Sequence, residues 1–556
     1  MTVTVEQVFT AAHILPMLRE GERTEGLAVV VSGGRILEVC DAVTGFGYVQ
    51  QGVQHIDLGE RILMPGFVDP HAHTEVAALT QFGVVDVRVP HCSSISEVLQ
   101  VLRDSLGQVT DGWLVAQGNL FFDRKLSDGR FPTRSELDSV SQEIPIIVRA
   151  GGHLSILNSR ALELAGIGRD FVPPFGSVTG QPVVEQDLGG TPTGVVMEMD
   201  NLIPFPRTPE TQTLAALESG VAELFTRYGV TTIGEISESI GGLGAFRAGI
   251  ERGSIPTRMS VYLWVPGTVS LSEATNPQFL EGLRGKDPAR FDITGVKVFA
   301  DGGFSAAQAG ISTDYVHAPG QCGSVALAPD EIAKLYRATQ QTGLQLAIHA
   351  NGDRTQLEIC QVLARARQRF GTHPGVRIEH AGNYAPDYPK LSAAWAAAGV
   401  VPVPQPIFIR NFGEFVPDYV GQHAWNAQFP FRTMLADGWP ISGSSDVWIG
   451  SDENQSNPLR SVAATRDRRT FHGQVLGAGE SVTPWQGLWM HTAGGAHALG
   501  RAGDVGSLSP GAHADFAVLD ANPLTVPASE LEQVKVSEVY LAGERVHVSR
   551  AESRRD

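Results

Sequence analysis

The stretch PGFVDPHAH at residues 65–73 joins a short apolar run directly to two histidines. Such a run predicts a buried strand, and alternate residues at the end of a strand point the same way. His71 and His73 can therefore present two imidazole nitrogens to one metal ion at about 2.1 Å. Barrel enzymes keep their active sites at the carboxyl ends of their parallel strands. The stretch thus predicts both the first strand of a barrel and part of a metal site.

Seven further apolar runs follow the same pattern, separated by helical stretches of about 10–20 residues. Short strands that alternate with helices are typical of a parallel sheet, and eight of them close a (β/α)8 barrel. The sequence therefore predicts an α/β fold of the TIM-like (β/α)8 type. The eight candidate strands are 64–69, 145–150, 231–236, 295–300, 344–349, 376–380, 400–404 and 440–444.

The two ends of the chain differ from this middle part. Residues 1–60 and 501–556 carry short runs of period two, bounded by Gly, Asp or Pro. Since neither end can bury a core alone, we predict that both build one small composite β-sandwich domain, with the barrel at 61–500. Within the barrel, 85–144 and 151–210 predict an inserted cap, and Pro and Gly pairs indicate that 151–210 is irregular.

Lys297 lies inside an apolar run, GVKVFADGG at residues 295–303. One interpretation is a side chain that reaches solvent from an edge strand, but the neighbouring residues are typical of a central strand. Burial lowers the pKa of an ammonium group. A neutral amine can add CO2 to form an anionic carbamate, which can bridge two cations. Lys297 is therefore a candidate bridging ligand.

Three more candidate ligands lie at the ends of other predicted strands. His349 and His380 end 344–349 and 376–380, and Asp446 follows 440–444. A single buried histidine is more often structural than catalytic. Six nitrogen or oxygen ligands at matching strand ends are hard to obtain by accident, so the pattern predicts a metal centre at one end of the barrel.

Composition excludes several classes of protein. The 556 residues carry 42 Lys and Arg against 60 Asp and Glu, a net charge of −18, which argues against nucleic acid and anionic membranes as partners. No run of about eighteen apolar residues predicts a transmembrane helix, and the first residues lack the pattern of a signal peptide. Four widely spaced cysteines favour reduced thiols. We expect a cytoplasmic enzyme acting on a small molecule, and a homodimer is left open.

Eight motifs occur along the chain in a fixed order: 66–73, 151–159, 192–198, 296–302, 349–353, 377–380, 443–446 and 506–516. Together they resemble the amidohydrolase superfamily, specifically its family-3 branch, which includes N-substituted formamide deformylases. The resemblance covers nearly the whole chain. One run departs from the family pattern, GGFSAA at 302–307 in place of a Gly-Ser-Leu-Gly-like run, and this implies a different specificity.

This resemblance implies a centre of two divalent metal ions, with zinc expected and iron or manganese as alternatives. The family pattern assigns His71, His73 and Asp446 to one ion, His349 and His380 to the other, and a carbamylated Lys297 to both. Two such ions lower the pKa of a shared water and polarise a carbonyl. Asp446 is then the expected general base, which takes a proton from the attacking water and delivers it to the leaving amine.

Five further residues are candidates for a role beside the metals. His153, in a Gly-Gly-His loop, is a second catalytic candidate that could polarise the carbonyl, with a structural role as the alternative. The candidate substrate-binding residues are Glu198, Asp301, Phe304 and Trp448. For Glu198 the alternative is an ion pair in the cap, and for Asp301 it is a loop held by backbone hydrogen bonds.

The predicted function is metal-dependent hydrolysis of an amide-type C–N bond, in an N-acyl or N-formyl amine, by a metal-activated hydroxide. The alternatives are a hydrolytic deaminase, a hydrolase of cyclic amides, carbamates or esters, and a non-catalytic barrel that serves as a binding scaffold. Deaminases of the superfamily usually work with one metal and without the bridging lysine, so Lys297 favours amide hydrolysis. The chain contains no GxSxG elbow, P-loop or strand-bound GxGxxG, which argues against serine hydrolases and nucleotide-binding folds.

Overall fold

The largest sheet of the protein has seven strands, all parallel to their neighbours. The structure is a computed structural model that describes residues 4–174, 181–206 and 210–549. In spatial order the strands of this central sheet are Phe67–Ala72, Val230–Ser237, Arg258–Trp264, Phe291–Phe299, Gln345–His349, Val376–Glu379 and Val400–Val403. Spatial order follows chain order, because helices connect successive strands. The predicted α/β fold with a parallel sheet is confirmed.

Helices flank the central sheet between its strands and after its last strand. The first is Thr74–Gly83, which begins directly after His73. The others between strands are Glu210–Leu224, Ile240–Glu251, Leu271–Ala274, Pro277–Leu283, Pro329–Thr342, Asp353–Phe370 and Tyr388–Ala398. After the last strand come Phe408–Phe412, Val416–Val420, Phe431–Ala436, Pro458–Asp467, Pro484–Met490 and Ala493–Ala498. Within the described ranges no helix combines the length and the apolar character that a membrane crossing requires.

Three of the predicted barrel strands require correction. The run 145–150 forms Ile146–Ala150 in a different sheet, and Phe67–Ala72 pairs directly with Val230–Ser237. The prediction missed Arg258–Trp264, which lies between Val230–Ser237 and Phe291–Phe299. The run 440–444 is not a strand. The chain there still contacts both neighbouring elements: the amide of Asp446 donates to the carbonyl of His71 at 2.9 Å, and Ser444 Oγ donates to the carbonyl of Pro404 at 3.0 Å.

The third correction concerns 64–69, which is divided between two sheets at Gly66. Ile62–Pro65 pairs with Phe516–Leu519, whereas Phe67–Ala72 begins the central sheet. A Cβ atom at Gly66 would lie 2.2 Å from Oγ1 of Thr231, so only glycine fits where the chain passes from one sheet to the other.

Strands from both ends of the chain share one sheet. Its five strands are His13–Ile14, Ile62–Pro65, Phe516–Leu519, Val536–Leu541 and Glu544–Val548. A four-stranded sheet of Arg35–Asp41, Leu27–Ser32, Gln7–Thr10 and Gln54–Asp57, with helix Ala42–Val49, packs beside it. The ring of Phe9 lies 5.1 Å from that of Phe516 and 5.2 Å from that of Tyr540, so the two sheets bury a common core.

The predicted cap contains a six-stranded sheet, which we call the inserted sheet. Its strands, in spatial order, are Val183–Gln186, Pro192–Met197, Leu154–Leu157, Ile146–Ala150, Leu114–Gly118 and Val85–Asp86. Its helices are Ile95–Asp104, Phe122–Lys125, Arg134–Asp138 and Ser159–Leu164. The expectation of irregular chain at 151–210 is therefore wrong for the three strands in that range, while 175–180 and 207–209 lie outside the described residues.

Candidate active site

The six predicted metal ligands come together at one end of the central sheet. His71, His73 and His349 lie at or just beyond strand ends, His380 follows Val376–Glu379, and Lys297 lies within Phe291–Phe299. All five side chains are buried, and Asp446 reaches them from the loop after 440–444. Parallel strands end on the same side of their sheet, so residues far apart in sequence meet there.

His71, His73 and Asp446 form a group that could hold a metal ion, with one ligand atom from each residue within 4.8 Å of the others. Oδ1 of Asp446 lies 3.2 Å from Nε2 of His71 and 3.7 Å from Nε2 of His73. Although burial alone would raise the pKa of Asp446, the neighbouring histidines, His71 first, hold it well below its usual range. Asp446 is therefore anionic, as a metal ligand must be.

The opposite nitrogens of the two histidines are held by carboxylates. Nδ1 of His71 lies 2.5 Å from Oε2 of Glu379, and Nδ1 of His73 lies 2.8 Å from Oε1 of Glu238. Ionised Glu379 can only accept, so Nδ1 of His71 carries a proton, and Nε2 is the nitrogen left to face a metal ion. Histidines that bind metals are typically oriented in this way. The donor set and its orientation fit a divalent ion.

Glu379 is itself fixed by Arg377. The guanidinium of Arg377 donates to both Glu379 oxygens, at 2.8 and 3.0 Å, and to the hydroxyl of Tyr262 at 2.6 Å. Burial alone would raise the pKa of Glu379, but Arg377 holds it well below its usual range. Sequence reasoning gave Glu379 no role, although Arg and Glu at alternate positions of a buried strand indicate a pair on one face.

We expect Glu379→Gln to weaken metal binding by about 10–100-fold, the usual effect of removing a hydrogen-bond partner of a ligating histidine. The amide can accept from His71, but it lacks the charge that favours the Nδ1 proton. Metal affinity, measured by competition with a chelator, tests this. Glu358→Gln is the control, because Glu358 is an exposed carboxylate whose ion-pair partner is Arg354, at 3.4 Å. Equal affinity in both variants would contradict the expectation.

His349 and His380 form a second pair of nitrogen donors. Nδ1 of His349 lies 2.9 Å from Nε2 of His380, and Nδ1 of His380 lies 2.7 Å from Oε1 of Gln405. Two ligands at about 2.1 Å from one ion, at angles between 90° and tetrahedral, lie roughly 3.0–3.4 Å apart. Burial lowers the pKa of His380 to about 3 and that of His349 well below its usual range, so both are neutral. Neutral imidazole is the form that binds metals.

Lys297 is buried beside His71. Its strand pairs on both sides, with Trp264 and Ala347 opposite Lys297, so the alternative of an edge strand is wrong. Nζ of Lys297 lies 3.5 Å from Nε2 of His71. Burial lowers the pKa of this amine to about 8. A substantial fraction of Lys297 is therefore neutral near pH 8, as reaction with CO2 requires.

His153 and Glu198 form a pair at the wall of the cleft above the ligands. Nδ1 of His153 lies 3.0 Å from each oxygen of Glu198, and its ring centre lies 6.0 Å from that of His349. Glu198 is buried in this contact, which matches the ion-pair alternative. His153 lines the cleft. Its second ring nitrogen, Nε2, makes no side-chain hydrogen bond with the described residues.

Asp301 holds loops together beneath the ligands. Its carboxylate accepts from the backbone amides of Gly310, Asn351 and Gly352 at 2.9–3.0 Å. Asp301 is fully buried and does not line the cleft. This placement corresponds to the loop-holding alternative.

Phe304 and Trp448 line a cleft that leads to His349, His380 and Asp446. Trp448 stacks on His73, with 4.8 Å between ring centres. Four residues at this site have positive φ angles, which residues other than glycine rarely adopt: Phe121, Glu198, His380 and Asp446. Such backbone conformations persist only where surrounding contacts enforce them, and they are common at functional sites.

Comparison with known proteins identifies the family of this chain. The family model described as "Amidohydrolase family" matches residues 54–547. The chain belongs to the amidohydrolase family. This confirms the resemblance inferred from the motifs. Members generally use a divalent metal, and in this amidohydrolase the His71, His73 and Asp446 group is available to hold one.

Individual relatives cover nearly the whole of this amidohydrolase. It is 26% identical to the N-substituted formamide deformylase of Arthrobacter pascens, over 93% of this chain and 94% of that protein. It is 24% identical to the putative amidohydrolase YtcJ of Bacillus subtilis (strain 168), over 98% and 99% of the two chains. An uncharacterized metal-dependent hydrolase from Pyrococcus horikoshii OT3 superposes with a TM-score of 0.69 at 22% identity, covering 94% and 99%, and shows a shared fold.

Proposed function

We propose that this protein hydrolyses an amide-type C–N bond in an N-acyl or N-formyl amine. The observation that carries the proposal is the convergence of His71, His73, Lys297, His349, His380 and Asp446 at the base of one cleft. Similarity to a protein named N-substituted formamide deformylase supports the same bond type. A non-catalytic scaffold would not need metal-binding histidines whose second ring nitrogens are also held by hydrogen bonds.

The proposal extends to the architecture around the cleft. The seven parallel strands together with 440–446 would form a closed barrel, and the strands of 1–60 and 501–556 would form one composite domain. Hydrogen bonds from 440–446 to the carbonyls of His71 and Pro404 support the first part. The shared five-stranded sheet supports the second.

Two divalent ions would occupy this centre, with zinc as the first candidate and iron or manganese as alternatives. His71, His73 and Asp446 would hold one ion, and His349 and His380 would hold the other. Lys297 would be carbamylated between them. When bound, such ions supply Lewis acidity toward a carbonyl oxygen and lower the pKa of water. The remaining chemistry belongs to the side chains of the cleft.

Asp446 is the proposed general base. Its carboxylate stays ionised, so it can accept a proton from the attacking water and pass it to the amine nitrogen as the C–N bond breaks. Burial alone would lower the pKa of His153, but Glu198 raises it, and the protonated ring is proposed to donate a hydrogen bond from Nε2 to the carbonyl oxygen as negative charge develops there. Trp448, stacked on His73, restricts the access of bulk water.

A screen of N-formyl and N-acetyl amines would test this function. Amine, formate and ammonia release are followed in parallel with metal content. Amine release that depends on metal supports the proposal, whereas ammonia as the main product would identify a deaminase. Absence of bound zinc, iron and manganese after growth with added metal, together with no release of any product, would favour the scaffold.

We expect Lys297→Ala to lose at least one metal equivalent and most activity, because the variant cannot form the bridging carbamate. Metal per chain and turnover are measured on the same sample. Lys334→Ala is the control, since Lys334 is exposed on helix Pro329–Thr342. Experimental electron density with an unmodified Lys297 amine turned away from bound metals would contradict the bridging role.

A further inference from the structure

One wall of the cleft is aromatic. The rings of Phe121 and Phe412 stack with 4.8 Å between their centres, and Phe408 lies 4.3 Å from Phe412. Phe304 and Phe429 also line the cleft. A stacked group of rings offers a flat apolar surface to a bound molecule.

Away from the metal ligands, the described lining of the cleft offers no strongly basic side chain. Among the described residues that line it there is no Lys or Arg, and the acidic group present is Asp446. Two cations of helix Phe122–Lys125, next to Phe121, are already paired: Nζ of Lys125 lies 2.6 Å from Asp452, and Nε of Arg124 lies 3.2 Å from Asp123. A substrate carboxylate placed against this wall would lose its hydration without gaining a counter-ion.

The amide side chains of the lining offer little compensation, because each already donates a hydrogen bond within the protein. Nδ2 of Asn351 donates to the carbonyl of Gly302 at 3.1 Å, and Nδ2 of Asn383 donates to Gln405 at 2.8 Å. Nε2 of Gln428 donates to the carbonyl of Gly413 at 2.9 Å. His153 already faces the carboxylate of Glu198.

Phe121 reaches this wall from the inserted sheet. It follows strand Leu114–Gly118 and adopts φ +55°, a conformation that is unfavourable for phenylalanine. Contacts with Phe412 and with Tyr419, at 5.5 Å between ring centres, hold the side chain in place. The strain is therefore sustained by the packing that presents the ring to the cleft.

We propose that the site selects neutral amides that carry an aromatic or bulky apolar substituent, and that Phe121 is a specificity-determining residue. The aromatic wall binds the substituent, and the absence of Lys and Arg from the described lining disfavours N-acyl amino acids and dipeptides. This inference rests on the proposed C–N hydrolysis and names its substrate class.

Three amides separate these requirements: N-acetylphenethylamine, N-acetylphenylalanine of either hand, and N-acetylethylamine, each also as the N-formyl compound. The first two differ only by a carboxylate, and the first and third only by the ring. With the metal-loaded protein we expect kcat/KM for the phenethylamide to exceed that for the phenylalanine compound by about 10² or more. It should exceed that for the ethylamide by about 10–100-fold.

Phe121→Gly tests the residue itself. Glycine accepts φ +55° without strain, so the ring is removed while the backbone is relieved. We expect the preference for the phenethylamide over the ethylamide to fall at least tenfold through a higher KM, and Phe121→Leu to restore part of it. Thermal unfolding of both variants controls for misfolding.

Calorimetric binding of the same compounds separates the inference from the proposed function. Hydrolysis or binding of the phenylalanine compound that equals or exceeds that of the phenethylamide would overturn the inference and leave C–N hydrolysis intact. No turnover of any amide, with tighter binding of the phenethylamide, would overturn the proposed function and support the specificity. No preference in either measurement would overturn the inference.

Discussion

Asp446→Asn should lower the turnover number by about 10²–10⁴, the usual contribution of general acid–base catalysis. Asparagine keeps the size of the side chain and one ligand oxygen, but it cannot accept the proton of the attacking water. The backbone should not change, because asparagine tolerates the left-handed conformation that Asp446 adopts at φ +48°. We therefore expect partial loss of metal and little change in thermal stability.

The measurement is turnover at saturating metal, with occupancy determined on the same sample. Asp437→Asn is the matched control, because Asp437 is exposed and its side chain accepts from the hydroxyl of Tyr388 at 2.7 Å. A fully metallated Asp446→Asn protein that works within a few-fold of the parent would exclude Asp446 as the base. His153 would then be the next candidate.

Removing the last 50 residues should make the protein insoluble. The deletion takes away three strands of the five-stranded sheet and leaves Ile62–Pro65 without its partner Phe516–Leu519. It also removes Asp515, whose carboxylate pairs with the buried Arg258 at 2.6 and 3.0 Å. An unpaired buried charge costs about 3–5 kcal/mol by itself, and the exposed strand edges favour aggregation.

The soluble fraction and the melting temperature check this result. A chain that lacks only 550–556 is the control, since it retains every strand described here. Asp515→Ala is a milder test of the same contact. This variant should remain soluble, with a free energy of unfolding that is lower by about 3–5 kcal/mol. A truncated protein that stays soluble and melts like the parent would show that the C-terminal strands are an independent appendage.

Sequence alone determined the α/β fold and which residues meet at the candidate site. His71, His73, His349 and His380 could be assigned to one end of the sheet because each ends or follows an apolar run. Parallel strands place their carboxyl ends on one side, so local position along a strand is enough to predict convergence. Lys297 inside such a run indicated a functional residue by itself, because burying an ammonium group is costly.

The tertiary structure decided the contacts that no local pattern records. Glu379 lies 308 positions from His71, and Glu238 lies 165 positions from His73, so only folding shows which carboxylate orients which ring. The division of 64–69 at Gly66 depends on how closely Thr231 approaches. Phe121 lines the cleft because the inserted sheet packs beside the central one. In each case the sequence gives the chemistry of a side chain, but its partner depends on packing between distant segments.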